Sequence, residues 1–303
     1  MFNAYSYTSA PDTNDILYLS LSSSFNTIAP PWELVSSTEN STSQGPSLSW
    51  HTLSALNSTH ALLFGGLPGP NAVTPIPEGS GLILSVLNRL QPVWLDKLTS
   101  WAGEPIRRMR HTAVTSMSGH IFIIGGERTD GSGLGFGDHV VFDPLTQMFS
   151  PLPPTANSPP PLFGHASIIL PDGCLLVFGG YSQAQATLVP LSTIWALNTS
   201  SNPLAWSVAT VDTGSLPSPR MGFAAAHIGG GRVLVHGGAD ANLQTNFDDG
   251  WILDTSRTPM TWTQRPGLSR IGARRDHFAV AYSNQVLFGF GSFLSLVSRG
   301  TIN

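Results

Sequence analysis

The chain has 303 residues, a net charge of −4, an isoelectric point of about 6.1, 11% charged and 41% hydrophobic residues, 31 Gly and 24 Pro. Ample apolar surface and few charges exclude a disordered chain, and no basic field exists to hold a nucleic-acid backbone or an anionic membrane. Cys174 is the one cysteine, which excludes an intrachain disulfide framework and a cysteine-rich metal site, and no apolar run approaches the ~20 residues that span a bilayer.

Along the chain, Ile16-Leu17-Tyr18-Leu19 is a first strand-like run, leading to the aromatic Trp32. The next unit starts at His51, passes through Leu62-Leu63-Phe64-Gly65-Gly66 and returns at Trp94. A second such unit holds Arg108, His111, Phe122-Ile123-Ile124-Gly125-Gly126, Val140 to Phe142 and Phe149. A third holds Leu162, His165, Leu176-Val177-Phe178-Gly179-Gly180 and Trp206. A fourth holds Arg220, Phe223, Leu234-Val235-His236-Gly237-Gly238, Trp251 to Leu253 and Trp262. The chain ends on Arg274, His277 and Val286-Leu287-Phe288-Gly289-Phe290-Gly291. The first glycines fall at 65, 125, 179, 237 and 289, at spacings of 60, 54, 58 and 52. His51, His111, His165 and Phe223 each stand 14 residues before the first glycine, and His277 stands 12 before Gly289, which predicts a loop two residues shorter there. Each unit reads as four short strands with turns between them: a after the anchor, b ending at the glycine pair, c, and d near the aromatic. The segment Pro151 to Pro161 is a connection, since proline donates no ladder hydrogen bond. No window sustains a helical period.

Four short antiparallel strands repeated at ~50 residues are the pattern of a kelch β-propeller. On its glycine pairs, spaced anchors and returning aromatics, the chain resembles the kelch-repeat family from about Asp15 to Gly291, and more narrowly fungal kelch proteins of the galactose-oxidase-like kind. The expected fold is an all-β propeller in one domain, residues 1–303. Its repeats run roughly over 14–47, 48–104, 105–161, 162–216, 217–272 and 273–291, with a tail at 292–303 that lacks the pattern. The chain opens on a c–d pair (Asn14 to Val35) and closes on an a–b pair (Asp276 to Gly291). Joining the two would close five blades and leave no exposed edge. The alternative is a shortened member with six or seven blades, which the resemblance implies.

Arg108, Arg220 and Arg274 stand three residues before the anchor, in the d–a connection, where Leu48 and Leu162 stand in the other two units. In an antiparallel blade the d–a and b–c connections emerge at the same end. These arginines therefore share a face with Glu127, Arg128, Asp130, Tyr181, Asp240 and Asn242, which follow the glycine pairs. Loops at one end of a rigid scaffold commonly carry binding groups, and the guanidinium fork suits carboxylates and phosphates. In kelch adaptors, the resemblance implies, arginines at this entry contact acidic peptide segments. The competing reading is bracing between blades. A non-catalytic scaffold recognising a protein, peptide or glycan is thus expected, with no nucleic-acid partner and no membrane insertion by this chain.

His51, His111, His165 and His277 could ring a central channel, yet Phe223 at the equivalent place cannot ligate a metal. They read as strand starts bonded to their own blade, with no cofactor expected. Asp138, Asp248 and Asp249 before strand c read as turn stabilisers; Asp143-Pro144 and Asp254-Thr255 read as c–d turns, and no loop has EF-hand spacing. A copper-radical oxidase, the alternative that the galactose-oxidase resemblance raises, needs a Cys–Tyr cross-link. Cys174 lies among core residues at the start of a strand b and reads as a small buried hydrophobe; of the five tyrosines only Tyr181 falls on the proposed mouth. No Gly-x-Ser-x-Gly or paired-His motif is present. The sequons at Asn40, Asn57 and Asn198, and the secretion signal and membrane span that the resemblance implies, suggest an ectodomain; the polar stretch Met1 to Asp15 has no signal core, leaving a cytosolic location open.

Overall fold

The computed structural model describes residues 14–26, 29–36, 45–69, 81–95 and 101–292. The tail Phe293 to Asn303 and the Asn40 sequon lie outside the described residues. Four four-stranded antiparallel meanders form the body. Blade 1 comprises Leu48–Ala55, His60–Pro68, Gly81–Ser85 and Val93–Leu95. Blade 2 comprises Thr112–Thr115, Ile121–Ile124, Val140–Asp143 and Met148–Pro151. Blade 3 comprises Ala166–Ile169, Cys174–Phe178, Ile194–Asn198 and Trp206–Ala209. Blade 4 comprises Ala224–His227, Arg232–His236, Gly250–Asp254 and Thr261–Gln264. Two further pairs are two-stranded: Ile16–Tyr18 with Glu33–Ser36, and Phe278–Tyr282 with Gln285–Gly289. The one helix among the described residues is a 3-10 turn, Pro266–Ile271.

The returning aromatics hold one register throughout. Leu84 faces Trp94, Phe142 faces Phe149, Leu197 faces Trp206, and Leu253 faces Trp262. These rings drop between sheets: Phe149 lies with Phe64 of blade 1, Trp206 with Leu152 of blade 2, and Trp262 with Phe178 of blade 3. Burying each such side chain contributes roughly 1.5–3 kcal/mol. Strands a lie side by side in chain order from blade 1 to Phe278–Tyr282.

The residues just before the anchors meet at the axis. Trp50, Arg110, Gly164, Gly222 and Asp276 have φ of 53°, 53°, 64°, 64° and 53°. Arg110 N donates to Trp50 O (3.2 Å), Gly164 N to Arg110 O (2.9 Å), Gly222 N to Gly164 O (2.8 Å), and Asp276 N to Gly222 O (2.7 Å). The left-handed backbone turns each amide toward the preceding blade. The first glycine of each pair permits an equally close approach: a Cβ at Gly125 would strike Leu162 O, and one at Gly237 would strike Arg274 O.

Two expectations change. The register of Phe278 with Gly289 sets His277 opposite Phe290, as that of Thr112 with Ile124 sets His111 opposite Gly125, so Phe290 (φ 59°) takes the first-glycine place with Gly291 behind it. The final loop is therefore one residue shorter, not two. The anchors also bond beyond their own blade. His111 Nε2 meets Thr52 Oγ1 of blade 1 and His165 Nε2 meets Thr112 Oγ1 of blade 2, both at 2.9 Å, while His277 Nε2 meets His236 Nδ1 at 3.0 Å. His51, whose Nδ1 lies 3.1 Å from Leu48 O, bonds within its own blade as expected.

Candidate functional site

The d–a and b–c connections do meet at one end of the blades. Arg108–Met109 pairs with Glu127–Arg128, Leu162–Phe163 with Tyr181–Ser182, and Met221 bridges Ala239, which bridges Asn246. Two of the predicted recognition arginines are not at its surface. Arg108 and Arg220 are wholly buried. Arg108 donates to Asp138 through Nη1 (3.1 Å) and Nη2 (2.9 Å), and to Gly125 O (3.1 Å). Arg220 donates to Asp249 through Nη1 (2.6 Å) and Nη2 (3.0 Å), to Gly237 O (2.9 Å) and to Ser218 O (2.9 Å). Phe136 covers the first guanidinium at 4.2 Å and Phe247 the second at 4.4 Å. With every face occupied, neither can reach a partner, and the case for an acidic ligand that rested on them lapses. Asp138 and Asp249 are correspondingly not turn stabilisers but the bidentate acceptors of these arginines. Burial alone would raise the Asp249 carboxyl, but the hydrogen bonds from Arg220 and Trp251 outweigh it and hold it below its ordinary value.

The other predicted residues divide. Glu127 is buried and accepts from Arg110 Nη1 at 3.1 Å; burial raises its carboxyl despite that arginine. Arg274 is half-buried and donates to Ile271 O at 2.7 Å. Tyr181 is half-buried against Phe163, with ring centroids 5.2 Å apart. Asp240 accepts Gln244 N at 2.9 Å and so shapes its own loop. Arg128 and Asp130 remain open, 46% and 55% exposed and 3.8 Å apart, and Asn242 is exposed.

Sequence reasoning missed the axial groups. Arg110 lies 4.4 Å over the Trp50 ring. Arg275 donates to Asn246 Oδ1 (2.9 Å) and Leu243 O (3.3 Å), with its Nε 3.8 Å from Asp276. Burial raises the Asp276 carboxyl, opposed by Arg110 and Arg275. Their signal was available: they stand one or two residues before each anchor. The ring they form separates a slot at the mouth, lined by Arg110, Met221, Leu243, Arg275 and Asp276, from a channel of about 170 Å³ lined by Trp50, His111, His165, Phe223 and His277. Desolvation pushes the His165 and His277 imidazoles down to about 3 and His51 down to about 4. They are neutral at ordinary pH and bonded to neighbours. Among the described residues no three His, Cys, Asp or Glu side chains converge on one point. Cys174 is half-buried at the turn end of its strand, and burial raises its thiol. Tyr181 begins a separate strand at the mouth, beyond Phe178 at the far end of the Cys174–Phe178 strand, which alone spans about 13 Å, so the Cys–Tyr pair of a copper-radical site is not assembled there.

The profile of the KLHDC2/KLHL20/DRC7 Kelch-repeats domain matches residues 50–292. The chain belongs to the kelch-repeat family. A putative adagio-like protein 2 of Oryza sativa subsp. japonica is 26% identical over 287 residues, 91% of this chain and 41% of that protein. An F-box/kelch-repeat protein of Arabidopsis thaliana is 30% identical over 121 residues, 38% of this chain and 24% of that protein. The chain thus spans less than half the length of these relatives. The solved structure of YjhT matches with a TM-score of 0.62 at 16% identity, over 83% of this chain and 74% of that one, a likeness of fold. The all-β kelch propeller expected from the repeats is therefore the architecture. Among the described residues no helix is long and apolar enough to cross a membrane.

Proposed function

We propose that this kelch propeller is a non-catalytic recognition module that binds a protein or peptide segment at the d–a/b–c face. The observation that carries the reading is the division of labour among the charged groups there. Arg108, Arg220 and Glu127 are buried in bracing contacts, so the floor is rigid. Arg128, Asp130 and Asn242 project from loops above it. Fixed floor and open rim are what low-entropy docking of a partner requires. Both signs of charge on the rim favour a partner with paired polar groups over a uniformly acidic one. The relatives, an F-box/kelch-repeat protein among them, support a binding role.

The test compares partners captured from the native host by the parent chain, by Arg128→Ala/Asp130→Ala/Asn242→Ala, and by Arg257→Ala, which alters the opposite face. Partners lost with the triple variant and kept with Arg257→Ala support the reading. Partners kept by the triple variant and lost with Arg257→Ala overturn it.

A further inference from the structure

Each anchor finds its partner in the blade before it, and the partners change together with the anchors. His111 meets Thr52 and His165 meets Thr112; each threonine directly follows the anchor of its own blade. Blades 3 and 4 carry Ala166 and Ala224 at that place. Ala166 has no hydroxyl, and the anchor after it is Phe223, packed against Phe178 with ring centroids 5.8 Å apart. Ala224 has none either, yet the anchor after it is His277. Its partner comes instead from the residue paired with Ala224 across the sheet, His236, whose Nδ1 lies 3.0 Å from His277 Nε2. Phe64, Ile124 and Phe178 pair with Thr52, Thr112 and Ala166 at the equivalent place. The last junction therefore uses a second imidazole where two others use a hydroxyl, and only an imidazole changes charge near neutral pH.

Two facing ring nitrogens hold one proton between them, one donating and one accepting. A second proton there would set two N–H groups against each other. Both rings are buried, and their outer nitrogens, His236 Nε2 and His277 Nδ1, make no hydrogen bond. The Phe288 ring stands 5.2 Å from His236 and stacks 6.3 Å from His277. Arg274 opposes added charge on either ring. Asp249 and the nearby carbonyls of Asp248 and Leu268 favour it on His236, but that carboxylate is already held by Arg220. Asp276, next to His277 in the chain, interacts with Arg110 and Arg275. Burial outweighs the favourable groups and holds both imidazoles below their ordinary value, His277 at about 3. The terminal pair is also lightly held. No residue of Phe278–Tyr282 or Gln285–Gly289 is buried, whereas residues 233–236 of blade 4 all are. Segments with few buried contacts open locally at a fraction of the global stability. In the open form both imidazoles reach water and titrate near 6.5. Opening thus takes up protons, and the stability of this junction, full above about pH 6.5, is lost as pH falls.

We propose that the His236–His277 pair is an acid-sensitive joint, which in mild acid releases the pair Phe278–Tyr282 and Gln285–Gly289 from blade 4 while blades 1 to 4 stay together. The loop 240–246 at the mouth moves with it, because Arg275 donates to Leu243 O and Asn246 Oδ1, and Asn246 Nδ2 donates to Ser292 O at 3.3 Å. The joint stands whatever the rim binds; its control over Asn242 rests on the recognition face proposed above.

Amide exchange of the full chain, corrected for the intrinsic dependence of exchange on pH, tests this. Between pH 7 and 5 the opening constant over 278–282 should rise at least about twentyfold, the share of a single imidazole moving from about 3 to 6.5, while Ile121–Ile124 stays protected. His236→Phe/His277→Phe copies the Phe178–Phe223 contact of the preceding junction and should cut the rise to less than about threefold. His165→Phe, at another junction, should leave the rise over 278–282 unchanged. A rise below about threefold in the parent, equal loss of protection over 121–124 and 278–282, or the same rise in the parent and the double variant overturns the proposal. The parent and His165→Phe decide the matter even where the double variant does not fold. None of these readings involves a partner, so their failure leaves the recognition face as proposed.

Discussion

Arg220→Leu tests the bracing account at its most buried point. The guanidinium is wholly buried, gives two hydrogen bonds to Asp249 and two to backbone carbonyls, and lies 4.4 Å from the Phe247 ring. Removing it strands Gly237 O and leaves the Asp249 carboxylate, 24% exposed, without its counter-ion. Breaking a buried pair by deleting one partner costs about 3–5 kcal/mol. For a chain of this length that corresponds to a fall in Tm of roughly 5–8 °C. Much of the loss is the stranded charge rather than the missing attraction, so neutralising it should restore stability. Arg220→Leu/Asp249→Asn keeps an acceptor for Trp251 Nε1, which lies 2.6 Å from Asp249 Oδ2, and should recover at least about 1 kcal/mol of the loss. Blade 3, with Leu162 and Thr193 in these places, shows that the fold accommodates the uncharged pair. Urea unfolding followed by tryptophan fluorescence reads both variants. A single-variant loss under about 1 kcal/mol, the range of an exposed ion pair, or a double variant no better than the single, refutes the reasoning.

Acid should loosen the blades before it reaches the carboxylates. His165 and His277 titrate near 3 in the folded chain because they are desolvated, against about 6.5 unfolded. The unfolded state therefore binds more protons below that value, and stability present above pH 6.5 is lost as pH falls toward 3, by about 2 kcal/mol per imidazole at pH 5. Thermal scans between pH 7 and 5 should show the decline, and His165→Phe, the residue blade 4 carries as Phe223, should remove one imidazole's share of it; a Tm unchanged from pH 7 to 5 contradicts the burial of these rings. Gly125→Ala adds a Cβ at φ 58° against Leu162 O and should cost more than about 1 kcal/mol, whereas Gly119→Ala, with positive φ and nothing near its Cβ, should cost about 1 kcal/mol or less. Arg128→Ala/Asp130→Ala should leave Tm within about 1 °C, since exposed substitutions shift stability by ~0.5 kcal/mol or less; a larger fall would make the pair part of the scaffold.

The strands and their order were legible because alternation, turn residues and glycine pairs are local signals. The aromatic register followed from the same repeat, whereas Leu48 and Leu162, expected in the d–a connection, sit inside strands. The arginines were misread because burial is not local. Arg108 and Arg220 were legible as a repeated position, yet their fate depends on Phe136 and Asp138, or Phe247 and Asp249, some 30 residues downstream. The repeated Phe-x-Asp beside each arginine, absent in blade 3, was the available signal. Trp50, Arg110 and Asp276 escaped because their positive φ is a ring requirement met in the other two blades by Gly164 and Gly222. Phe290 in a glycine place hid the true register of the last pair for the same reason.

Photo-reactive residues placed at Arg128, Asp130 and Asn242 on one face, and at Leu145 and Arg257 on the other, test the central claim most directly when partner adducts are mapped in the native host. Adducts from the first group with none from the second are the predicted result. Adducts confined to 145 and 257 would contradict the account.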